Sequence, residues 1–99
     1  MKTSELIGPA LDWAVAKCER HDMNYFQVVD AYQPSTDWAQ GGAIIEREKI
    51  AIKENGYGYW FAKAEESKWV RGTTPLIAAM RCYVASKLGD EIDLPEELK

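Results

Sequence analysis

The broadest hydrophobic pattern in the chain runs from Gly72 to Gly89 and predicts a buried helix. Thr74 suits the N-cap position, Pro75 suits the first helical position, and Gly89 can adopt the left-handed conformation that ends a helix. At about 100° per residue, one broad arc is filled by Leu76, Ile77, Met80, Tyr83, Val84 and Leu88. A helix that is apolar around most of its circumference is buried, so we expect this C-terminal helix to be central to the fold.

Arg81 carries the charge in the middle of that helix. A buried guanidinium without a partner costs free energy, and the pattern therefore predicts an ion pair of Arg81 with Glu46 or Asp37. The alternative is that Arg81 binds a phosphate group, because bidentate geometry serves either role.

Periodicity elsewhere predicts one more main helix, over Pro9–Arg20, and several short strands. Alternating apolar and polar residues place the strands at Asn24–Ala31, Ala43–Ile45, Lys49–Lys53 and Tyr57–Ala62. The predicted fold class is α+β, with a small antiparallel sheet of three to four strands packed against two helices. No linker or repeat interrupts the pattern, so we expect a single domain over residues 1–99, with an acidic tail from about residue 90.

The dipeptide Asn55-Gly56 is the clearest turn signal in the chain. Both central positions of a type I′ turn need a positive φ, which Asn and Gly tolerate. The sequence therefore predicts a hairpin at this point, in which Tyr57, Tyr59 and Phe61 share one face of the sheet.

Charge and composition narrow the classes of partner. The formal net charge is −4, and no run of Lys and Arg is present, so we expect nucleic-acid binding to be unlikely unless the fold builds a local basic patch. No signal peptide or membrane-spanning apolar segment is evident, which predicts a cytoplasmic protein that does not bind a membrane. Four Trp, five Tyr and two Phe are many for this length, and some of them should lie at a surface.

The loop predicted over Tyr32–Gly42 is the first candidate binding site. Hydroxyl, amide, carboxylate and indole groups occur there together with a glycine that admits a close neighbour; the residues are Ser35, Thr36, Asp37, Trp38, Gln40 and Gly41. Such a set suits a small polar ligand that carries a ring, nucleotides among them. The alternative is a structural loop, in which Asp37 and Ser35 bind their own backbone and Trp38 fills the core.

The start of the central helix is the second candidate. Thr73 and Thr74 present hydroxyl groups beside the unpaired N–H groups and the positive end of the helix dipole, which favour an anion. A plain N-cap without a ligand is the alternative. If the Ser35–Gln40 loop folded over this terminus, the two candidates would form one pocket.

Catalytic chemistry has little support in the sequence. His21 has no nucleophile motif to serve, Glu46 and Glu48 look like a solvated strand edge, and no phosphate-binding loop or dinucleotide fingerprint is present. Cys18 and Cys82 are expected to be reduced core residues. With a single His and no Cys-x-x-Cys pair, we expect no metal site and no cofactor, and we expect that the protein is not an enzyme.

Several long motifs resemble the NinX-like family of small proteins from lambdoid phages and prophages. They are the segments Leu11–Lys17, Ser35–Gly41, Ile44–Glu48 and Thr74–Asp90, and together the resemblance covers nearly the whole chain. It implies a phage accessory protein made in the cytoplasm of the bacterial host. It assigns no catalytic residues.

Together these features favour a non-catalytic binding module that captures a small polar ligand, such as a nucleotide, or a host component, in a role that includes counter-defence. The alternative is a protein–protein interaction module, or a homo-oligomer, that holds a host or phage protein. Trp13, the face with Tyr57, Tyr59 and Phe61, or the acidic tail would form that interface.

Overall fold

A computed structural model describes residues 1–21, 23–65 and 67–99. Within these residues the chain forms four α-helices and one antiparallel sheet of three strands, with short 3-10 turns near both ends. The elements in chain order are α1 (Gly8–Cys18), α2 (Tyr25–Asp30), α3 (Trp38–Glu48), β1 (Ala51–Glu54), β2 (Trp60–Lys63), β3 (Val70–Gly72) and α4 (Pro75–Leu88). The predicted α+β class is therefore confirmed.

Helix α4 occupies the centre and packs on the sheet as well as on α1 and α3. The Thr74 hydroxyl accepts a hydrogen bond from the Ile77 N–H at 3.1 Å, Pro75 opens the helix, and Gly89 follows it with φ of 88°. At the end of β3, Gly72 lies so close to the α4 backbone at Ala78 that a Cβ atom would overlap it. Both the central position of α4 and its ends agree with the prediction.

The three strands lie in the order β1-β2-β3 and present two different faces. Ile52 pairs with Ala62, and Ala62 pairs with Val70, on the side that packs against the core. Because successive side chains alternate between faces, Lys53, Phe61 and Arg71, which also pair in a row, lie on the outer side. The third strand, β3, is not among the strands that the sequence predicts, because three residues are too few to show an alternating pattern.

The predicted hairpin is present, but its turn is wider than a two-residue type I′ turn. Asn55 keeps an ordinary φ, and the positive φ values fall on Gly56 and Gly58. The Asn55 Oδ1 accepts hydrogen bonds from the N–H groups of Tyr57 at 2.8 Å and Tyr59 at 3.1 Å. The side chain of Asn55 thus organises the turn, and Tyr57 lies outside the strand rather than on its face.

The strand predicted over Asn24–Ala31 is wrong, because this segment contains helix α2. Asn24 Oδ1 accepts from the Gln27 N–H, and Gln27 Oε1 accepts from the Asn24 N–H, both at 3.0 Å. This reciprocal pair is a capping box. It satisfies two backbone donors and outweighs a weak apolar alternation.

The strand predicted over Ala43–Ile45 is also wrong, because those residues lie within α3. The Asp37 carboxylate caps this helix by accepting from the Ala39 N–H at 2.9 Å. Gly41 lies inside the helix, where a Cβ atom would overlap the Pro34 carbonyl oxygen and approach Leu76 Cδ2 to 2.6 Å. Gly41 therefore serves close packing between elements rather than a loop.

The acidic C-terminal segment lies alongside the N-terminal segment. Thr3 donates its N–H to the Asp90 carbonyl at 2.8 Å, and the N–H of Ile92 donates to the Met1 carbonyl at 3.0 Å. Leu94 is buried in the core. Among the described residues, none of the helices has the length and apolar character needed to cross a membrane.

Candidate functional site

The polar side chains of the first predicted site form hydrogen bonds with one another and with the nearby backbone. Gln40 accepts from the Gln33 N–H at 2.9 Å, and its Nε2 donates to the Ala31 carbonyl and to Asp37 Oδ2, both at 3.0 Å. Asp37 also caps α3. A ligand that bound Asp37 or Gln40 through these atoms would have to replace existing hydrogen bonds.

Ser35 and Thr36 line a small cavity of about 200 Å³ beside the start of α1. The Ser35 N–H donates to Asp12 Oδ1 at 2.8 Å, and the buried Ser35 hydroxyl has no hydrogen-bond partner among the described residues. Burial raises the pKa of the Asp12 carboxyl, an effect that hydrogen bonding from Ser35 offsets only in part. Sequence reasoning missed Asp12, because it adjoins the apolar stripe of α1 and gives no sign of a partner far along the chain.

Trp38 opens α3 and is 54% exposed, so the alternative in which its ring fills the core is wrong. A Cβ atom on Gly42 would lie 3.6 Å from the Trp38 ring, which shows that the indole covers the next turn of its own helix. Exposure leaves this ring free to contact a partner. It does not line the cavity that contains Ser35 and Thr36.

The second predicted site is separate from the first in the described contacts. The Thr74 hydroxyl is engaged as the helix cap, Thr73 is exposed, and no hydrogen bond within residues 1–21, 23–65 and 67–99 links either threonine to the loop before α3. Contact between the two regions instead joins Gly41 to the Leu76 side chain. Whether either set of residues binds a ligand stays a prediction.

Arg81 does not form the predicted ion pair with Glu46 or Asp37. Its Nε donates to the Leu6 carbonyl at 2.7 Å, and its Nη1 donates to the Arg71 carbonyl at 2.9 Å. Burial lowers the pKa of the guanidinium, and the nearby charge of Arg71 lowers it further. Two backbone carbonyls thus accept hydrogen bonds from Arg81, which ties the N-terminal segment to the edge of the sheet.

Arg47 rather than Arg81 pairs with carboxylates, and its partners are different ones. Its guanidinium contacts Glu19 at 2.6 Å and Glu48 at 2.9 Å, and the Tyr83 hydroxyl also donates to Glu19. Hydrogen bonding from Arg47 is the main reason that the pKa values of both carboxyl groups are lowered. Glu48 therefore lies in a helical ion-pair network that includes Lys87, and not on the strand edge that the sequence suggested.

A different group of side chains lies together on the outer side of the sheet. Lys53 Nζ is 4.7 Å from the ring centroid of Trp69, and Arg71 Cζ is 4.7 Å from that of Tyr59. Phe61 lies between these two stacks, since it pairs with both Lys53 and Arg71. We call this surface the aromatic–cationic face; it comprises Lys53, Tyr59, Phe61, Lys63, Trp69 and Arg71.

The aromatic–cationic face is exposed and carries one sign of charge. Tyr59 is 38% and Trp69 is 43% exposed. Within the three strands, the charged residues on this face are Lys53, Lys63 and Arg71, whereas the acidic residue of the strands, Glu54, pairs with Trp60 on the opposite face. The cluster cannot be recognised from the sequence, because it forms only when the three strands pair.

An open groove of about 1240 Å³ begins at Trp69 and Arg71 and extends between β3 and the chain termini. Its charge is balanced, because the lining carries basic and acidic residues in equal number: Lys2, Lys68, Arg71, Lys87, Glu48, Glu65, Asp90 and Glu91. The net positive character of the sheet face therefore does not extend into this groove.

The cysteines and the histidine lie elsewhere. Cys18 and Cys82 are both free thiols, and burial raises the pKa of Cys18 to about 11. The His21 ring packs edge-on against Tyr32 at 5.5 Å between centroids. In the part of the chain that the structure describes, no group of three or more His, Cys, Asp or Glu residues is arranged to hold a metal ion.

Fold and surface together define a small α+β protein with an exposed aromatic–cationic sheet face. The family model described as Bacteriophage P22, NinX matches residues 2–87. The chain therefore belongs to the NinX family of phage proteins, as the sequence motifs indicated, and is a phage accessory protein. No curated protein matches the chain.

Proposed function

We propose that this phage accessory protein is a non-catalytic binding module that captures a nucleotide-type ligand, meaning a planar base joined to phosphate, on the aromatic–cationic face. The observation that carries the proposal is the pair of cation–ring stacks, Lys53 on Trp69 and Arg71 on Tyr59, on either side of Phe61. The rings and the cations are accessible from the same side of the sheet.

The chemistry of the face selects among classes of ligand. Bases stack on aromatic rings, and removing a ring lowers the binding free energy by about 1–3 kcal/mol per base. Phosphate oxygens accept hydrogen bonds from Arg and Lys, and the planar guanidinium can bind two of them at once. A purely apolar partner would strip water from Lys53 and Arg71 without compensation. A nucleotide uses both kinds of group.

Binding without catalysis fits the residue types on this surface. Its members are aromatic rings, two lysines and one arginine, and the strands place their carboxylate, Glu54, on the opposite face. Cys18 and His21 lie on other elements, α1 and the segment directly after it. The face therefore offers recognition groups but no carboxylate, imidazole or thiol to transfer a proton or attack a substrate.

The aromatic–cationic face is a stronger candidate than the two sites predicted from the sequence. Asp37, Gln40, Thr74 and Arg81 already have hydrogen-bond partners within the chain. The side chains on the sheet face interact with each other through cation–ring contacts, which are weak at exposed positions, about 0.5–1 kcal/mol. A ligand can replace such contacts at low cost.

The test is an NMR titration of the protein with AMP, GMP, CMP and UMP. Backbone amide signals of β1, β2 and β3 should shift, and Trp69→Ala or Arg71→Gln should weaken binding by about tenfold, which corresponds to about 1.4 kcal/mol. Trp38→Ala is the matched control, since it removes an exposed indole from α3. Shifts confined to Ser35–Gly41 or Thr73–Thr74 would overturn the proposed surface, and the absence of any shift would overturn nucleotide capture.

A further inference from the structure

We infer that the ligand of the aromatic–cationic face is single-stranded nucleic acid rather than a free mononucleotide. This inference rests on the proposed function and specifies the class of ligand. It departs from the expectation that the net charge of −4 supports, because the charges of the sheet are sorted between its two faces.

The shape of the surface argues against a small free ligand. Sites for small molecules are concave and bury about 70–90% of the ligand. The outer side of the sheet is an open surface, on which Tyr59 and Trp69 keep more than a third of their area exposed. A mononucleotide on one ring would remain largely in water. A polymer gains several weak contacts on one chain, because each contact raises the effective concentration for the next.

The spacing of the rings suits successive bases. Tyr59 and Phe61 are two residues apart along the chain, which places their Cα atoms roughly 7 Å apart in extended backbone. Trp69 stacks with Lys53, although β1 and β3 lie on opposite sides of β2, roughly 10 Å apart. Tyr59, Phe61 and Trp69 thus come from different positions along and across the sheet, and we expect each ring to accept one base. Unstacked bases of a single strand can stack on such rings one after another.

The cations are interleaved with the rings rather than gathered in a separate patch. Lys53 and Arg71 flank Phe61 in the strand register, and Lys63 lies two residues further along β2. Phosphates that link neighbouring bases would therefore pass close to a positive charge. With three cations, the affinity for a single strand should fall with salt with a logarithmic slope of about −2, since each neutralised phosphate contributes about −0.7.

Double-stranded nucleic acid fits this surface less well than a single strand does. The bases of a duplex stack on one another and expose their edges, so they cannot cover Tyr59, Phe61 or Trp69. Affinity for a duplex would depend on phosphate contacts alone. Three cations on a chain of net charge −4 provide few such contacts. We therefore expect a preference for single strands of about tenfold or more, which corresponds to one stacked base.

The experiment measures fluorescence anisotropy of labelled oligothymidylate and oligouridylate of about twelve nucleotides, with the full chain. The comparison ligands are a duplex of the same length and UMP as a competitor. Trp69→Ala and Lys53→Gln are the test variants. Their controls are Trp38→Ala, an exposed indole on α3, and Lys17→Gln, a lysine that lies over Trp13 in the same manner as Lys53 lies over Trp69. Circular dichroism confirms that each variant is folded.

The inference predicts that both test variants lose about tenfold or more in affinity for the single strand, while both controls bind as the parent does. Equal affinity for UMP and for the oligonucleotides would overturn the inference and leave the proposed function standing. Absence of binding to both would overturn the two together, and a mass that rises with protein concentration for the parent but not for Trp69→Ala would then assign the face to self-association. Equal binding of the duplex, or binding that the face variants leave unchanged, would also overturn the inference.

Discussion

Two adjacent glycines in α3 should respond to the same substitution with opposite signs. A Cβ atom on Gly41 would overlap the Pro34 carbonyl oxygen and lie 2.6 Å from Leu76 Cδ2, whereas on Gly42 its nearest neighbour is the Trp38 ring at 3.6 Å. The second distance is ordinary van der Waals contact. Gly41→Ala and Gly42→Ala therefore form a matched pair that separates helix propensity from packing.

The expected change in the free energy of unfolding has two contributions, helix propensity and packing. Replacing Gly with Ala inside a helix stabilises it by about 1 kcal/mol, and Gly42→Ala should realise most of this gain. Gly41→Ala gains the same amount, but it adds overpacking that typically costs about 1–3 kcal/mol. The upper end applies, because the Pro34 carbonyl belongs to the backbone and cannot rotate away. We expect a net loss of about 2 kcal/mol, so the two variants should differ by about 3 kcal/mol.

Urea and thermal denaturation followed by circular dichroism measure both values. One kcal/mol corresponds to about 4–8 °C in Tm for a domain of this size, so Gly42→Ala should melt a few degrees higher than the parent and Gly41→Ala about 10 °C lower. A Gly41→Ala protein as stable as the parent would refute the packing argument. If that protein had also lost ligand binding, Gly41 would have the role at a ligand site that the sequence suggested.

Three further predictions concern single charged or ionisable groups. Arg81→Leu leaves the part-buried Leu6 carbonyl without its donor, whereas water can replace the donor at the exposed Arg71 carbonyl; unfolding in urea should therefore show a loss of about 1–3 kcal/mol with no change in nucleotide titrations. Hydrogen bonding, chiefly from Arg47, holds the pKa of Glu19 below its ordinary 4.5. The Glu19 carboxylate therefore contributes fully to stability above pH 4.5, and this contribution is lost as the pH falls through the lowered pKa. Glu19→Gln should flatten the acid limb of a stability–pH curve. Because burial raises the pKa of Cys18 from 9.0 to about 11, its thiolate fraction at neutral pH is about a hundredfold lower, and peptide mapping should find slow alkylation by iodoacetamide; a rate equal to that of free cysteine would contradict this.

The helix that could be predicted best is the one whose two ends are encoded locally. Thr74, Pro75 and Gly89 specify the ends of α4, and the apolar arc between them specifies its burial. Helix α2 has only six residues, too few for the helical period to stand out from alternation. Its capping box, Asn24 with Gln27, is nevertheless readable as a helix start. Giving that pair more weight than the alternation would have corrected the prediction.

Helix α3 was missed for a different reason. Two consecutive glycines indicate a loop when no neighbours are known, since glycine weakens a helix by about 1 kcal/mol relative to alanine. The requirement for Gly41 comes from Pro34 and Leu76, and Leu76 is far away in the chain. Asp37, which looked like a ligand carboxylate, is the N-cap of the same helix. The polar composition of this segment thus reflects helix capping.

Helix capping also makes the segment before α3 a weaker candidate site than the sheet. Polar side chains near helix ends have unpaired backbone groups within reach, so a loop rich in Asp and Gln is usually engaged in capping. The exposed area of a ring contributes nothing comparable to folding, because an aromatic side chain stabilises the fold through the area that it buries. Tyr59 and Trp69 stay exposed beside cations on a surface that bears no acid within its strands. We propose that these rings, whose exposed area does not stabilise the fold and which strand pairing places together with cations, form the surface best suited to bind a ligand.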